Sequence, residues 1–260
     1  MTTKTTNKLL KDLDNKDFNV RIAAARNPNA TPEVLMKALE DKEEYVRRDA
    51  AKHPNATPEV LMKAMEDESE YVRYDAAGNP NATPEVLMKA LEDENSGVHE
   101  SAADNPNATP EVLMKAMEED DRSVRNVAAG NPNATLEILL KALGDEDFGV
   151  RYSAAGNTSA TPEVLLKAIG DEDRVFRIAA ARNPNATSEV LMKAMEDEEW
   201  SVRRHAAMNP NLKTLQLPLE KWLQFVSTDI PVKNIPSWVK KTSQYKTTRI
   251  LSKLAQKAGT

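Results

Sequence analysis

The chain contains no cysteine and few aromatic residues, and both absences exclude classes of structure and function. Without cysteine it has no disulfide, no thiolate nucleophile and no cysteine-held zinc or iron–sulfur site. Aromatic residues make up 5% of the 260 residues and charged residues 29%, which suits thin helical layers better than a thick globular core. No run approaches the roughly 18 apolar residues of a membrane span. Residues 1–17 lack an apolar signal region, so we expect a cytoplasmic protein.

What the chain does contain is a segment that returns every 26 residues. In its second copy, residues 27–52, the sequence is NPNATPEVLMKALEDKEEYVRRDAAK, and the copies follow one another as far as residue 211. Self-similarity at such a period predicts stacked repeats. Residues 1–211 therefore form eight repeats.

The first copy is degenerate in a way that is typical of a chain end. Lys8 and Asp12 stand where the next copy has Val34 and Ala38. Polar residues on an outer face are what a terminal repeat needs. We therefore predict a capping repeat over residues 1–26, helical repeats over residues 27–211, and a basic helical cap or tail over residues 212–260.

Each repeat predicts two short helices. Thr31, Pro32 and Glu33 combine a hydroxyl N-cap, a proline at the first helical position and a carboxylate in the first turn. A second helix is predicted from about Glu44 to Lys52, although a segment this short does not distinguish an α-helix from a 3₁₀ turn. The predicted fold class is all-α, a solenoid of eight two-helix repeats of 26 residues.

The repeated pattern D-x-x-x-x-V-R-x-x-A-A-x-N-P resembles the leucine-rich repeat variant, a relative of HEAT repeats. The resemblance covers residues 1–211 and implies a right-handed superhelix that binds other macromolecules, with no catalytic residues. It also implies a ladder between adjacent repeats, formed by an Asp and an Arg six residues apart. The pattern departs at Asn15, His99 and Glu119. The pairs with this spacing are Asp41/Arg47, Asp67/Arg73, Asp145/Arg151, Asp171/Arg177 and Asp197/Arg203.

Comparison of the eight copies divides the second helix into two faces. Positions equivalent to 46, 47, 50 and 51 are nearly constant, whereas those equivalent to 44, 45, 48, 49 and 52 differ between copies. At about 100° per residue the differing positions fall on one side of the helix, which we call the variable face. Aromatic and arginine side chains, which are enriched in binding hot spots, collect there. The residues predicted to contact a partner are Phe18, Tyr45, Arg48, Tyr71, Tyr74, Asp75, Glu100, Asp104, Arg122, Phe148, Tyr152, Arg174, Arg182, Trp200 and Arg204.

These features predict a non-enzymatic scaffold that holds a protein or peptide partner along the variable face. A second interpretation is nucleic-acid binding through Arg122, Arg174, Arg182, Arg204 and the basic C-terminal segment. The charge balance opposes it, because residues 1–211 carry 26 Lys and Arg against 39 Asp and Glu, while residues 212–260 carry 9 against 2. A third interpretation is a purely structural or designed repeat array, and a fourth is that the aromatic side chains pack on neighbouring repeats.

No catalytic, cofactor-binding or metal-binding residue is predicted. His53, His99 and His205 occupy three different repeat positions without a recurring partner, unlike the ligands of a metal site. No acid, base or nucleophile stands outside the repeat pattern. We therefore expect no enzyme, no cofactor and no membrane partner, and we favour a monomer.

Overall fold

The computed structural model describes residues 3–214 together with positions 240 and 246, and residues 3–214 contain sixteen α-helices and no strand. The chain divides into two compact units, an N-terminal unit of residues 1–134 and a C-terminal unit of residues 135–260. The predicted helical cap over residues 212–260 lies almost wholly outside the described residues. Among the described helices, none is long and apolar enough to cross a membrane.

Ten helices belong to the N-terminal unit and six to the C-terminal unit, in both cases as two helices for every repeat. Those of the N-terminal unit are α1 (Thr3–Asp12), α2 (Phe18–Ala25), α3 (Pro32–Ala38), α4 (Glu44–Lys52), α5 (Pro58–Ala64), α6 (Glu70–Ala77), α7 (Pro84–Ala90), α8 (Ser96–Asp104), α9 (Pro110–Ala116) and α10 (Arg122–Gly130). Those of the C-terminal unit are α11 (Leu136–Ala142), α12 (Phe148–Gly156), α13 (Pro162–Ala168), α14 (Arg174–Arg182), α15 (Ser188–Met195) and α16 (Trp200–Met208), followed by a 3₁₀ turn over Pro210–Thr214.

The helix boundaries follow from the capping residues. In α7 the Thr83 hydroxyl accepts a hydrogen bond from the backbone N–H of Val86, and proline occupies the first helical position. In α6 the Ser69 hydroxyl accepts from the N–H of Tyr71. The predicted starts at Pro32 and Glu44 are confirmed, and all sixteen described helices are α-helices. Thr31 occupies the predicted N-cap position, but its hydroxyl makes no capping hydrogen bond.

The constant positions form the core. Leu35 of α3 and Val46, Ala50 and Ala51 of α4 have no exposed surface. The small alanines allow close approach, and within each unit successive even-numbered helices pack on one another more extensively than successive odd-numbered helices do. The stack in each unit is therefore tighter on the side that carries the variable face.

The arginine ladder implied by the resemblance is present, and each arginine joins two repeats. Arg47 binds the carboxylate of Asp67 in the next repeat through Nε at 2.7 Å and Nη2 at 3.0 Å. Its Nη1 donates to the backbone carbonyl of Asp41, six residues earlier. The same ion pair joins Arg21 to Asp41, Arg73 to Asp93, and Arg177 to Asp197.

The departures from the ladder have local explanations. The ring of His99 lies 3.2 Å from the Glu119 carboxylate, so the two substituted residues meet each other and preserve the contact. Asn15 keeps a local contact of the aspartates it replaces, because its Oδ1 accepts a hydrogen bond from the N–H of Asp17 at 2.8 Å, as Asp41 does from the N–H of Glu43. Another difference between repeats lies at Phe176, which occupies the position that is valine in the other repeats. The guanidinium of Arg151 lies 5.0 Å from the centroid of the Phe176 ring.

Asparagines of the NPN turns form a second ladder. The buried Asn105 donates to the carbonyls of Ala77 and Asn79 in the preceding repeat, at 2.7 and 3.0 Å. Its Oδ1 accepts from the N–H of Asn107, whose own side chain donates to the carbonyls of the preceding turn. The sequence predicted turn chemistry at these positions. They also satisfy backbone groups between repeats, which a turn alone does not do.

Candidate functional site

The variable face is where large apolar side chains remain in solvent. On α4, α6, α12 and α16 it includes aromatic residues that are 43–60% exposed, whereas the valines and alanines on the opposite side of these four helices are fully buried. The exposed aromatic residues are Tyr45, Tyr71, Tyr74, Phe148, Tyr152 and Trp200. These rings protrude from the stack, so packing between repeats accounts for only part of their surface.

Several aromatic residues of the predicted set contact other side chains. Phe148 stacks on Tyr152 with ring centroids 6.4 Å apart and lies 5.0 Å from the ring of Phe176. Phe18 is half-buried, and the guanidinium of Arg21 lies 5.9 Å from its centroid. Arg48 of α4 lies 5.2 Å from the centroid of the Tyr71 ring in the next repeat, whereas Arg21 shares α2 with Phe18. The interpretation of neighbour packing therefore applies to Phe148 and Tyr71 more than to Phe18.

Asp75 differs from the rest of the predicted set because it lies inside the stack. Its carboxylate is 3% exposed and binds Arg48 at 2.8 Å and Lys52 at 3.2 Å, both from the preceding repeat. The hydrogen bond to Asp75 raises the pKa of the Arg48 guanidinium above its ordinary value, and the attraction of Asp75 adds to it, against the cost of burial. Asp75 is thus neutralised within the protein.

The contact between Lys52 and Asp75 repeats one made at the start of the chain. Arg26, the equivalent of Lys52, binds Asp49, the equivalent of Asp75, at 2.7 Å. The next pair along the chain is Gly78 and Ser101, which carry no charge. This short row of ion pairs along the variable face therefore ends at Gly78.

A groove of about 480 Å³ opens where this row ends. It runs along the ends of α6 and α8, with Tyr74 and Gly78 on one side and Glu100 and Asp104 on the other. The floor includes Ser101, whose hydroxyl donates to the carbonyl of Tyr74 at 3.0 Å. The groove brings together four of the predicted residues, Tyr74, Asp75, Glu100 and Asp104.

Within the C-terminal unit the variable face is basic and aromatic. The guanidinium of Arg204 lies 5.3 Å from the centroid of the Trp200 ring. Arg174 and Arg182 are exposed at the two ends of α14, and Arg174 approaches Glu199 at 3.9 Å. Arg122 is exposed at the start of α10 in the N-terminal unit.

Three residues of this surface were not among those predicted to contact a partner. Met208 at the end of α16 is 50% exposed, and Lys52 and Gly78 line the groove. All three occupy the same repeat position, which the sequence comparison had marked as variable. The prediction favoured aromatic and arginine side chains at this position, so a methionine, a lysine and a glycine were left out.

Among the described residues no group of three His, Asp or Glu side chains lies close enough to hold a metal ion. His53 accepts the backbone N–H of Asn55 and contacts the carbonyl of Asn27, so it takes the place of an asparagine in the second ladder.

Comparison with known structures identifies the architecture. A solved structure described as a leucine-rich repeat variant with a novel repetitive structural motif matches 78% of this chain and 80% of its own, at 25% identity and a TM-score of 0.57. The chain has the fold of a leucine-rich repeat variant. A second structure, of the Escherichia coli protein YibA, covers 95% of this chain and 91% of its own at 18% identity, but its TM-score of 0.36 supports no argument. No family model matches the chain, and no curated protein does.

The match to the leucine-rich repeat variant structure, together with the sixteen helices of residues 3–214, confirms the predicted all-helical repeat fold. It suggests a binding or scaffold role, because stacked repeats present extended surfaces to partners. The fold itself names no partner.

Proposed function

We propose that the protein is a non-enzymatic scaffold that binds a protein or peptide partner along the variable face. The observation that carries the proposal is the placement of six exposed aromatic side chains on the even-numbered helices. Burial of large apolar surface is the main source of binding energy between proteins, and solvent-exposed aromatics are costly without a use.

The outward positions of the odd-numbered helices provide the contrast. There the repeats present charged residues such as Glu85 of α7 and Lys89 one turn later, both exposed. Such residues are nearly the same in every copy, as expected for a solvated surface. Only the variable face combines apolar surface with differences between repeats, which a specific partner requires.

Changing four of the exposed aromatics to alanine is expected to abolish partner binding while leaving the fold intact. The variant is Tyr71→Ala, Tyr74→Ala, Tyr152→Ala and Trp200→Ala. Hot-spot aromatics contribute about 2 kcal/mol or more each, so retention of a partner by the immobilised protein should fall by at least about 100-fold. Retention is measured by pull-down from a cell extract, and the fold by circular dichroism and thermal melting.

The matched control changes four exposed residues of odd-numbered helices to alanine: Met36, Glu85, Glu163 and Glu189. It should retain the partner as the parent does. If the aromatic variant loses helicity or melts much earlier, the aromatics are packing residues, and the proposal fails for them.

Nucleic-acid binding is a second candidate, supported by Arg204 over Trp200 and by the exposed Arg174 and Arg182. Arginine and an aromatic ring together form the platforms on which unpaired bases stack. The acidic balance of residues 1–211 opposes this function. Binding of single-stranded RNA or DNA that weakens steeply between about 50 and 200 mM salt would favour it over a protein partner.

A further inference from the structure

The groove between α6 and α8 combines a glycine on one side with two carboxylates on the other. We infer that it receives the side chain of an arginine in an extended segment of a partner protein. This inference rests on the proposed function and adds the chemistry of one contact. The guanidinium would lie on the ring of Tyr74 and meet the carboxylates of Glu100 and Asp104.

The first argument is the uncompensated charge. Glu100 and Asp104 lie four residues apart on one face of α8, and neither carboxylate makes an ion pair or hydrogen bond with any described residue. Like charges at this spacing repel by a few tenths of a kcal/mol. Among residues 3–214, Lys52 is the one basic side chain that lines the groove, and its ammonium is held by Asp75. Two carboxylates of the described groove therefore remain without a cation.

The second argument is the position of Asp104 at the end of its helix. A helix C-terminus carries a partial negative charge, so cations stabilise it and anions destabilise it. The equivalent positions in other repeats include Arg26, Lys52 and Arg182, whose charges complement their helix ends. Asp104 is the only acidic residue at this position in the eight repeats. A bound cation would supply the charge that the other repeats supply themselves.

The third argument is space and shape. Gly78 stands where Lys52 stands in the preceding repeat, and a Cβ at this position would lie 2.9 Å from the Ser101 hydroxyl. A larger residue would thus press on the floor and fill the groove. The ring of Tyr74 is 47% exposed beside this space. A planar guanidinium stacks on such a ring and keeps its N–H groups free for carboxylates, which an ammonium cannot do.

The inference is tested with a fluorescent nonapeptide that contains one arginine among serines and glycines. A second peptide carries citrulline in place of arginine, which keeps the shape and removes the charge. Binding to the full chain is measured by fluorescence anisotropy, and the site by the amide shifts of Tyr74, Gly78 and Asp104 in NMR spectra. We expect saturable binding of the arginine peptide and at least about tenfold weaker binding of the citrulline peptide, since charge-assisted pairs carry the contact.

The decisive variant is Glu100→Gln with Asp104→Asn, and its control is Glu85→Gln with Glu111→Gln on odd-numbered helices. Both change the net charge equally, so general attraction to an acidic protein is matched. The groove variant should weaken arginine-peptide binding by about tenfold or more and melt no earlier than the parent, whereas the control should bind as the parent does.

Equal binding of both peptides, equal loss in both variants, or no saturable shift at the groove would overturn the inference. In each of these cases the proposed function still stands if the aromatic variant loses its partner in the pull-down. If the arginine peptide binds the groove but the aromatic variant keeps its partner, the groove assignment survives and the wider binding surface does not.

Discussion

Replacing Arg73 by methionine is expected to lower the free energy of unfolding by about 3–5 kcal/mol. Arg73 binds the Asp93 carboxylate through two nitrogens at 2.6 and 2.9 Å, and both side chains are at most 10% exposed. Without the guanidinium, the Asp93 carboxylate would remain buried without a cation, and two backbone carbonyls would lose their donor. Urea unfolding followed by circular dichroism measures the loss.

The double variant Arg73→Met, Asp93→Leu is the control for this explanation. It removes the stranded carboxylate together with its partner, so it should recover most of the lost stability. A double variant no more stable than Arg73→Met would show that the loss comes from the carbonyl contacts or from packing, and the ladder would then have a smaller role.

The acid stability of the protein should depend on the same pair. Burial alone would raise the pKa of Asp93. The hydrogen bonds from Arg73 and from the N–H of Asn95, with the charges of Arg73 and His99, lower it below its ordinary value instead. The folded protein therefore keeps this carboxylate ionised where the unfolded chain binds a proton. The stability it contributes is complete above about pH 4 and is lost as the pH falls through the folded value. In Arg73→Met, protonation of the unpaired Asp93 carboxylate at low pH should instead recover part of the lost stability.

Replacing Asn105 by alanine should cost about 3 kcal/mol, which is large for a single neutral side chain. Its side chain is 2% exposed and makes three hydrogen bonds with backbone groups, two of them in the preceding repeat. Alanine would leave the carbonyl of Ala77 without its side-chain donor in a place that water does not reach. The change is measured by urea unfolding, as for Arg73.

Asn107 provides a control two residues away. It also donates to two carbonyls of the preceding repeat, at 2.6 and 3.1 Å, but its side chain is exposed. Water can replace these bonds in Asn107→Ala, so we expect a loss of about 1 kcal/mol or less. Similar losses in the two variants would mean that burial does not set the value of the asparagine ladder.

Much of the fold could be predicted because the repeat displays its own periodicity eight times. Pro32 at the first helical position and the buried Val46 indicate the two helices of a repeat, and most copies restate them. The contacts between repeats were less predictable. That His99 meets Glu119, and that Asn105 reaches the carbonyl of Ala77, depends on how one layer sits on the next. The repeat period in the sequence does not specify how one repeat is positioned on the next.

The candidate site was predictable as a face but not in its details. The comparison of copies placed Tyr71 and Tyr74 on a solvent side, where the structure has them. It also placed Asp75 there, whereas this carboxylate is buried between Arg48 and Lys52. Position 49 of the repeat lies at the edge of the variable face, so the next layer decides whether its side chain meets solvent. Sequence periodicity predicts the direction in which a side chain leaves the helix axis, but it does not predict how close that side chain comes to the adjacent repeat.

Site-specific photo-crosslinking tests the central claim, that a partner lies along the variable face, most directly. A photoreactive phenylalanine analogue is placed at Tyr71 in one sample and at Glu85, an exposed residue of α7, in another. After irradiation in cell extract, we predict adducts with a partner protein from position 71 and none above background from position 85. Adducts that form equally at both positions, or at position 85 alone, would contradict the account.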